Sequence, residues 1–249
     1  MSVSKALTAI GLCLSLAACG GGSSSSSATP VSTSPTSVEY PLQQGGSLVV
    51  RSDGTASYQG VELTPSSAKP FFTGARIRSG SDRNVETLGG ATGLSVAEFG
   101  VWYAPTDALP KPNFFAGGQG GPLMGTNLPI SGQAAYKGNY IATIGGNPVS
   151  GAMSVTADFG TLAVTTSFGG PINTTMGGGS GINRNSGMYF TATSPGQGLT
   201  SGVSLTAQGA FYGTGASETA GTMNGSSNPN INHTTGPFGT IAGSFGAHR

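Results

Sequence analysis

Side chains able to do chemistry are scarce in this sequence. It has two histidines, His233 in a polar stretch and His248 near the terminus, and charged residues make up 8% of its 249 positions. Acid–base catalysis needs titratable groups held together in a pocket. The carboxylates Asp53, Glu62, Glu86 and Glu98 are the nearest approach to such a group, and nothing in their spacing pairs them. No Gly-x-Ser-x-Gly nucleophile elbow occurs. Asp158-Phe159-Gly160 spells the magnesium-binding triplet of kinases, but no glycine-rich loop, strand lysine or catalytic loop accompanies it. Gly177-Gly178-Gly179-Ser180-Gly181 lacks the strand-to-helix setting of a nucleotide fingerprint and reads as a hairpin loop. The expectation is therefore not an enzyme, with no catalytic residue, no bound metal and no resident cofactor.

One side chain does have chemistry written around it. Lys5 precedes an apolar run from Ala6 to Ala18, which ends in Leu16-Ala17-Ala18-Cys19-Gly20. The run is too short to cross a bilayer core of roughly 30 Å as a permanent helix and fits a secretory signal. Its end is similar to the bacterial lipobox, where small residues admit the peptidase and the cysteine sulfur takes a diacylglycerol. The expectation is a signal peptide over 1–18, a covalent lipid on Cys19 and an outer-membrane location. Gly20-Gly21-Gly22 and Ser23 to Ser27 then read as the start of a flexible tether over 19–38. Cys13 lies in the discarded segment, so Cys19 is the only cysteine kept. The remainder must fold without disulfides on burial and backbone pairing.

Charge divides the chain beyond the tether. Between Glu39 and Lys111 lie seven acidic and six basic residues; from Pro112 onward only Lys137, Asp158, Arg184, Glu218 and Arg249 are charged. With Lys5 removed, nine basic side chains balance nine acidic ones, and no polybasic run marks a nucleic-acid partner. The Pro/Gly-rich stretch around 110–128 separates a unit over 39–127 from one over 128–249.

The second unit alternates with period two. Met153, Val155, Ala157 and Phe159 hold the odd positions of one segment, Leu205, Ala207 and Phe211 those of another, and Ile241, Phe245 and Ala247 those of the last. Several such segments bounded by Gly, Asn and Pro indicate an all-β barrel or sandwich. The alternate face carries Ser154, Thr156, Asp158, Ser204, Thr206 and Gln208, which suits water rather than lipid.

Tyr136-Lys137-Gly138, Asp158-Phe159-Gly160, Gly209-Ala210-Phe211-Tyr212-Gly213, Glu218-Thr219-Ala220-Gly221 and the terminal Phe245-Gly246-Ala247-His248-Arg249 together resemble the C-terminal barrel of transferrin-binding protein B and its single-lobed lipoprotein relatives. Glu98-Phe99-Gly100-Val101-Trp102 resembles the handle-like sheet that precedes it. The resemblance implies a handle-like small β-sheet unit over 39–127, then a soluble eight-stranded antiparallel barrel over 128–249. Its last strand should close against the first, around 135–144. It also implies a surface lipoprotein that binds a solute or a host or environmental protein, such as an iron or haem carrier, for a TonB-dependent receptor, or one exported by a surface-lipoprotein translocator. Two alternatives stand beside this: direct haem or small-ligand binding with His233 as the loop ligand, and a structural or adhesive role without a dedicated ligand.

Aromatics and arginine dominate interface energetics. The first unit holds the only tryptophan, Trp102, and also Arg76 and Arg78, two apart and expected to form an exposed charged stripe. These three are the candidate partner-binding residues.

Overall fold

The computed structural model describes residues 35–105, 112–177, 181–192, 203–227 and 239–249. Residues 35–249 form one compact unit built from two eight-stranded antiparallel sheets.

The first sheet is a meander in chain order: β1 (Ser37–Pro41), β2 (Ser47–Arg51), β3 (Ala56–Tyr58), β4 (Val61–Pro65), β5 (Arg76–Ser79), β6 (Asn84–Thr87), β7 (Ala97–Tyr103) and β8 (Asn113–Gly118). Its ends approach each other, since Leu42 forms an antiparallel bridge with Gly117 and the Gln43 N–H donates to the Ala116 carbonyl at 2.9 Å. Leu48, Ala56, Tyr58, Leu63, Val85 and Phe115 fill the space inside. The handle is thus larger than a small sheet, with as many strands as the barrel although each is only three to seven residues long.

The second sheet comprises β9 (Gln133–Ile144), β10 (Asn147–Asp158), β11 (Ala163–Phe168), β12 (Thr174–Met176), β13 (Met188–Ala192), β14 (Val203–Tyr212), β15 (Glu218–Ser227) and β16 (Gly239–His248). Its spatial order is β12-β11-β10-β9-β16-β15-β14-β13. The expected closure of last strand on first is present: β16 pairs with β9 from Ile241↔Ile144 to His248↔Lys137. The predicted inward positions are buried, with Val155, Ala157, Phe159, Leu205, Ala207 and Phe211 all at 1% exposure or less. Phe211 stands at the centre of an aromatic cluster, its ring 5.1 Å from Phe159 and Tyr189 and 5.6 Å from Tyr136. Side chains fill the interior of this barrel, as its strand number allows.

The seam departs from the sequence expectation. β12 and β13 stand at opposite ends of the sheet order and do not pair, so they are not the two strands of a hairpin; residues 178–180 of the glycine-rich stretch lie outside the described residues. A buried hydrogen bond of 3.2 Å from Thr191 Oγ1 to Thr166 Oγ1 ties β13 to β11 there.

The two sheets share a core. Leu88, Leu94, Phe99 and Val101 of the first pack on Ile141, Ala210, Tyr212 and Ala220 of the second. The latter four point out of the barrel yet are buried, which explains why small and apolar residues occupy both faces of these strands. Close approach requires glycine at two points: a Cβ on Gly118 would overlap the Tyr212 ring, and one on Gly246 would press into Phe99 and Leu94.

Candidate functional site

Trp102 sits on β7 between its register partners Val85 on β6 and Asn113 on β8. It is half-buried. The Arg83 guanidinium lies 5.1 Å from the centre of its ring, within cation–π range, and Asp82 holds Arg83 by an ion pair of 2.9 Å. Tyr58 packs against the same indole at 6.3 Å.

Trp102 lines a cleft of about 450 Å³ where the two sheets meet. The first sheet contributes Tyr58, Phe114 and the carboxamides of Gln44, Gln59 and Asn113. The barrel contributes Thr222 and Asn224 from β15 and Ala242 and Gly243 from β16. Every lining residue is neutral. Period two puts Thr222, Asn224 and Ala242 on the outer barrel face, and the antiparallel register Asn224↔Ala242 sets the last two side by side. The cleft joins segments more than 100 positions apart, and Trp102 is the one among its residues that sequence made a candidate binding residue.

The arginines do not form the expected exposed stripe. Arg76 is exposed, but Arg78 is only 7% exposed and its Nε donates to the Gly54 carbonyl at 3.0 Å. Burial lowers its pKa from the ordinary value, and the nearby Glu98 carboxylate opposes that shift. β5 runs inside its sheet between β4 and β6, so Arg78 lies beneath the loop carrying Gly54 rather than in solvent.

The carboxylates of the first sheet serve separate structural ends. Asp53 accepts from the Thr55 N–H and hydroxyl in a turn, and Glu62 takes a two-point ion pair from Arg51 at 2.7 and 3.0 Å. Glu86 is fully buried and accepts from the Tyr103 hydroxyl at 2.6 Å and from the N–H groups of Phe71 and Phe72, which fastens the 66–75 loop to the sheet. Burial pushes Glu98 up to about 7, against the opposing effects of the Gly89 N–H and the Arg78 and Arg76 charges. None of these four hydrogen-bonds another. No group of three or more His, Cys, Asp or Glu able to hold a metal occurs among the described residues. Cys19 and His233 lie outside the described residues. His248 is exposed at the end of β16, its Nδ1 3.1 Å from the Arg249 carbonyl oxygen.

Sequence reading took Glu218 only as part of a motif. It is 4% exposed and accepts four hydrogen bonds from the segment leading into β7 and from that strand's first residue: Ser95 N–H at 2.8 Å, Ser95 Oγ at 2.7 Å, Val96 N–H at 3.0 Å and Ala97 N–H at 2.7 Å. Gln43 and Ser244 add two further ties between the sheets. Gln43 Nε2 donates to the Ala220 carbonyl at 2.8 Å, and Ser244 Oγ donates to the Gly100 carbonyl at 2.8 Å. These bonds join the two sheets whose residues line the cleft.

No family profile matches this sequence, and no curated protein matches it. Solved structures do match. A single-substitution variant of the vaccine antigen transferrin-binding protein B from Haemophilus parasuis Hp5 superposes with a TM-score of 0.52 at 14% identity, over 85% of this chain and 44% of that one. A double-substitution variant of the same protein gives 0.53 at 14% identity, over 86% and 44%. The fold is that of a single transferrin-binding protein B-like lobe. This chain therefore spans less than half the length of the Haemophilus parasuis protein. The apo haemoglobin receptor HpuA from Kingella denitrificans superposes more loosely, with a TM-score of 0.45 at 16% identity over 86% of this chain and 82% of that one. In the transferrin-binding protein B-like lobe formed here, the stapled contact between the sheets is the feature that positions the cleft.

Proposed function

We propose that this chain is an outer-membrane lipoprotein, anchored through a lipid on Cys19 and displayed at the cell surface. There it binds a solute or a host or environmental protein, an iron or haem carrier, for delivery to a partner transporter such as a TonB-dependent receptor. The observation that carries this reading is the two-sheet lobe, similar in fold to a protein whose name states that it binds transferrin. The signal-like N-terminus supports the location. The exposed Arg76 and half-exposed Trp102 support partner contact on the first sheet rather than on the barrel walls.

The test has three arms. Cys19→Ala should abolish acylation and release the protein from the membrane fraction, because several acyl chains, each buried methylene contributing about 0.8 kcal/mol, make a stable anchor. Intact cells treated with protease should lose the wild-type protein. The purified protein should also retain an iron- or haem-carrying protein from the medium in which the cells live. Retention of Cys19→Ala in the membrane would refute the anchor; failure to retain any such carrier would refute the binding role.

A further inference from the structure

We propose that the cleft between the two sheets binds a neutral saccharide, packed against the part of the Trp102 ring that lines it and hydrogen-bonded by the surrounding carboxamides. The volume, about 450 Å³, lies within the roughly 300–1,000 Å³ of small-ligand sites and suits one or two sugar rings. Its lining is what a sugar requires. The apolar C–H face of a pyranose carries slight positive charge and packs on the electron-rich face of an aromatic ring; Trp102, half-exposed at the cleft, supplies such a surface. Each sugar hydroxyl donates and accepts, and a carboxamide offers one acceptor and two donors in a fixed plane. The side chains of Gln44, Gln59 and Asn224 are exposed and make no hydrogen bond to another described residue, so their polar atoms are available to a ligand.

The same lining disfavours other ligands. An anion would need a countercharge, and no lining residue carries one; the nearby Arg83 is engaged by Asp82 and stacked on Trp102. A haem iron would need an axial ligand, and the only lining candidate, Tyr58, is 2% exposed, its phenol kept protonated by burial. A wholly apolar ligand would make no use of the exposed carboxamides of Gln44, Gln59 and Asn224.

Trp102 is the only tryptophan in the chain, so fluorescence excited selectively in the indole band, where the seven tyrosines do not absorb, reports on the surroundings of this one ring. The full chain is titrated with glucose, galactose, mannose, N-acetylglucosamine and their disaccharides, with glucuronate and sialic acid as anionic comparators and haemin as a third class. The expected result is a saturable spectral change with at least one neutral sugar, weakened about tenfold or more by Gln59→Ala and by Asn224→Ala. Both substitutions are at exposed positions, and unchanged thermal unfolding shows that the fold is retained. A parallel titration with a desialylated glycoprotein, before and after enzymatic deglycosylation, separates a free sugar from a glycan chain as the source. The proposal is overturned if no neutral sugar and no glycan gives a saturable change. Anionic sugars or haemin binding as tightly, or affinity surviving both substitutions, overturns it equally. None of these readouts depends on acylation, carrier capture or a transporter, so this proposal and the surface-capture function fail separately.

Discussion

Ser95 Oγ donates to Glu218 Oε1 across 2.7 Å, joining the loop before β7 to the first residue of β15, 123 positions later in the chain. Three backbone N–H groups converge on the same carboxylate. A buried carboxylate is tolerable only when its lone pairs are satisfied, and here the donors come from the opposite sheet. The contact between the sheets is thus specified by polar pairing as well as by apolar packing.

Glu218→Gln should weaken that contact by about 2–3 kcal/mol, because an amide turns two donors toward N–H groups that need acceptors. Urea unfolding followed by the single tryptophan measures it. Burial acts to raise the Glu218 pKa, but the Ser95 hydroxyl and the Ala97, Ser95 and Val96 N–H groups hold it below the ordinary carboxylate value. A depressed folded pKa contributes stability above the unfolded pKa that is lost as pH falls through the folded one. The variant should therefore lose less stability than wild type on acidification below about pH 4.

Glu98 has the opposite sign. Its pKa rises from 4.5 to about 7 on folding, so the native state binds a proton more tightly than the unfolded chain. Its contribution is most favourable below pH 4.5 and is lost as pH rises from 4.5 to 7, a swing of about 3 kcal/mol by linkage. Glu98→Gln should flatten that slope, as denaturant midpoints at pH 5 and pH 7.5 will show. An unchanged slope would mean that Glu98 stays ionised in the fold.

Phe211→Ala should destabilise the protein by about 3–5 kcal/mol, since the ring is fully buried among three aromatic neighbours. Gln208→Ala, on the exposed face of the same strand, should change stability by no more than about 0.5 kcal/mol. Equal effects would contradict the strand register.

Arg76→Glu and Arg78→Glu should separate cleanly. Arg76 is exposed, and its reversal should leave unfolding nearly unchanged while weakening capture of a carrier protein. Arg78 is buried with its Nε on the Gly54 carbonyl and the Glu98 charge nearby, so its reversal should cost on the order of 3–5 kcal/mol. Thermal unfolding of the two variants decides this.

Much of the barrel was legible because strand alternation is local. A residue's neighbours two positions away share its face whatever the rest of the chain does, so Met153, Val155, Ala157 and Phe159 could be assigned inward from sequence, and all are buried. The pairing of β16 with β9 was legible from the resemblance of its motifs and from the need to remove sheet edges.

What faces the outside of each sheet was decided by tertiary structure. Alternation says that Ile141, Ala210, Tyr212 and Ala220 point out of the barrel, but not that a second sheet covers them there. It places Arg76 and Arg78 on one strand face, but not that a loop buries one and leaves the other exposed. The cleft is the extreme case: Gln44, Gln59, Trp102, Thr222, Asn224 and Ala242 carry no shared signal in sequence. They meet because the two sheets dock, through the shared apolar core and through the hydrogen bonds of Glu218, Gln43 and Ser244. Local periodicity determined which residues build each sheet; long-range docking, set by complementary shape and by hydrogen bonds between distant segments, decided which surfaces remain to bind anything.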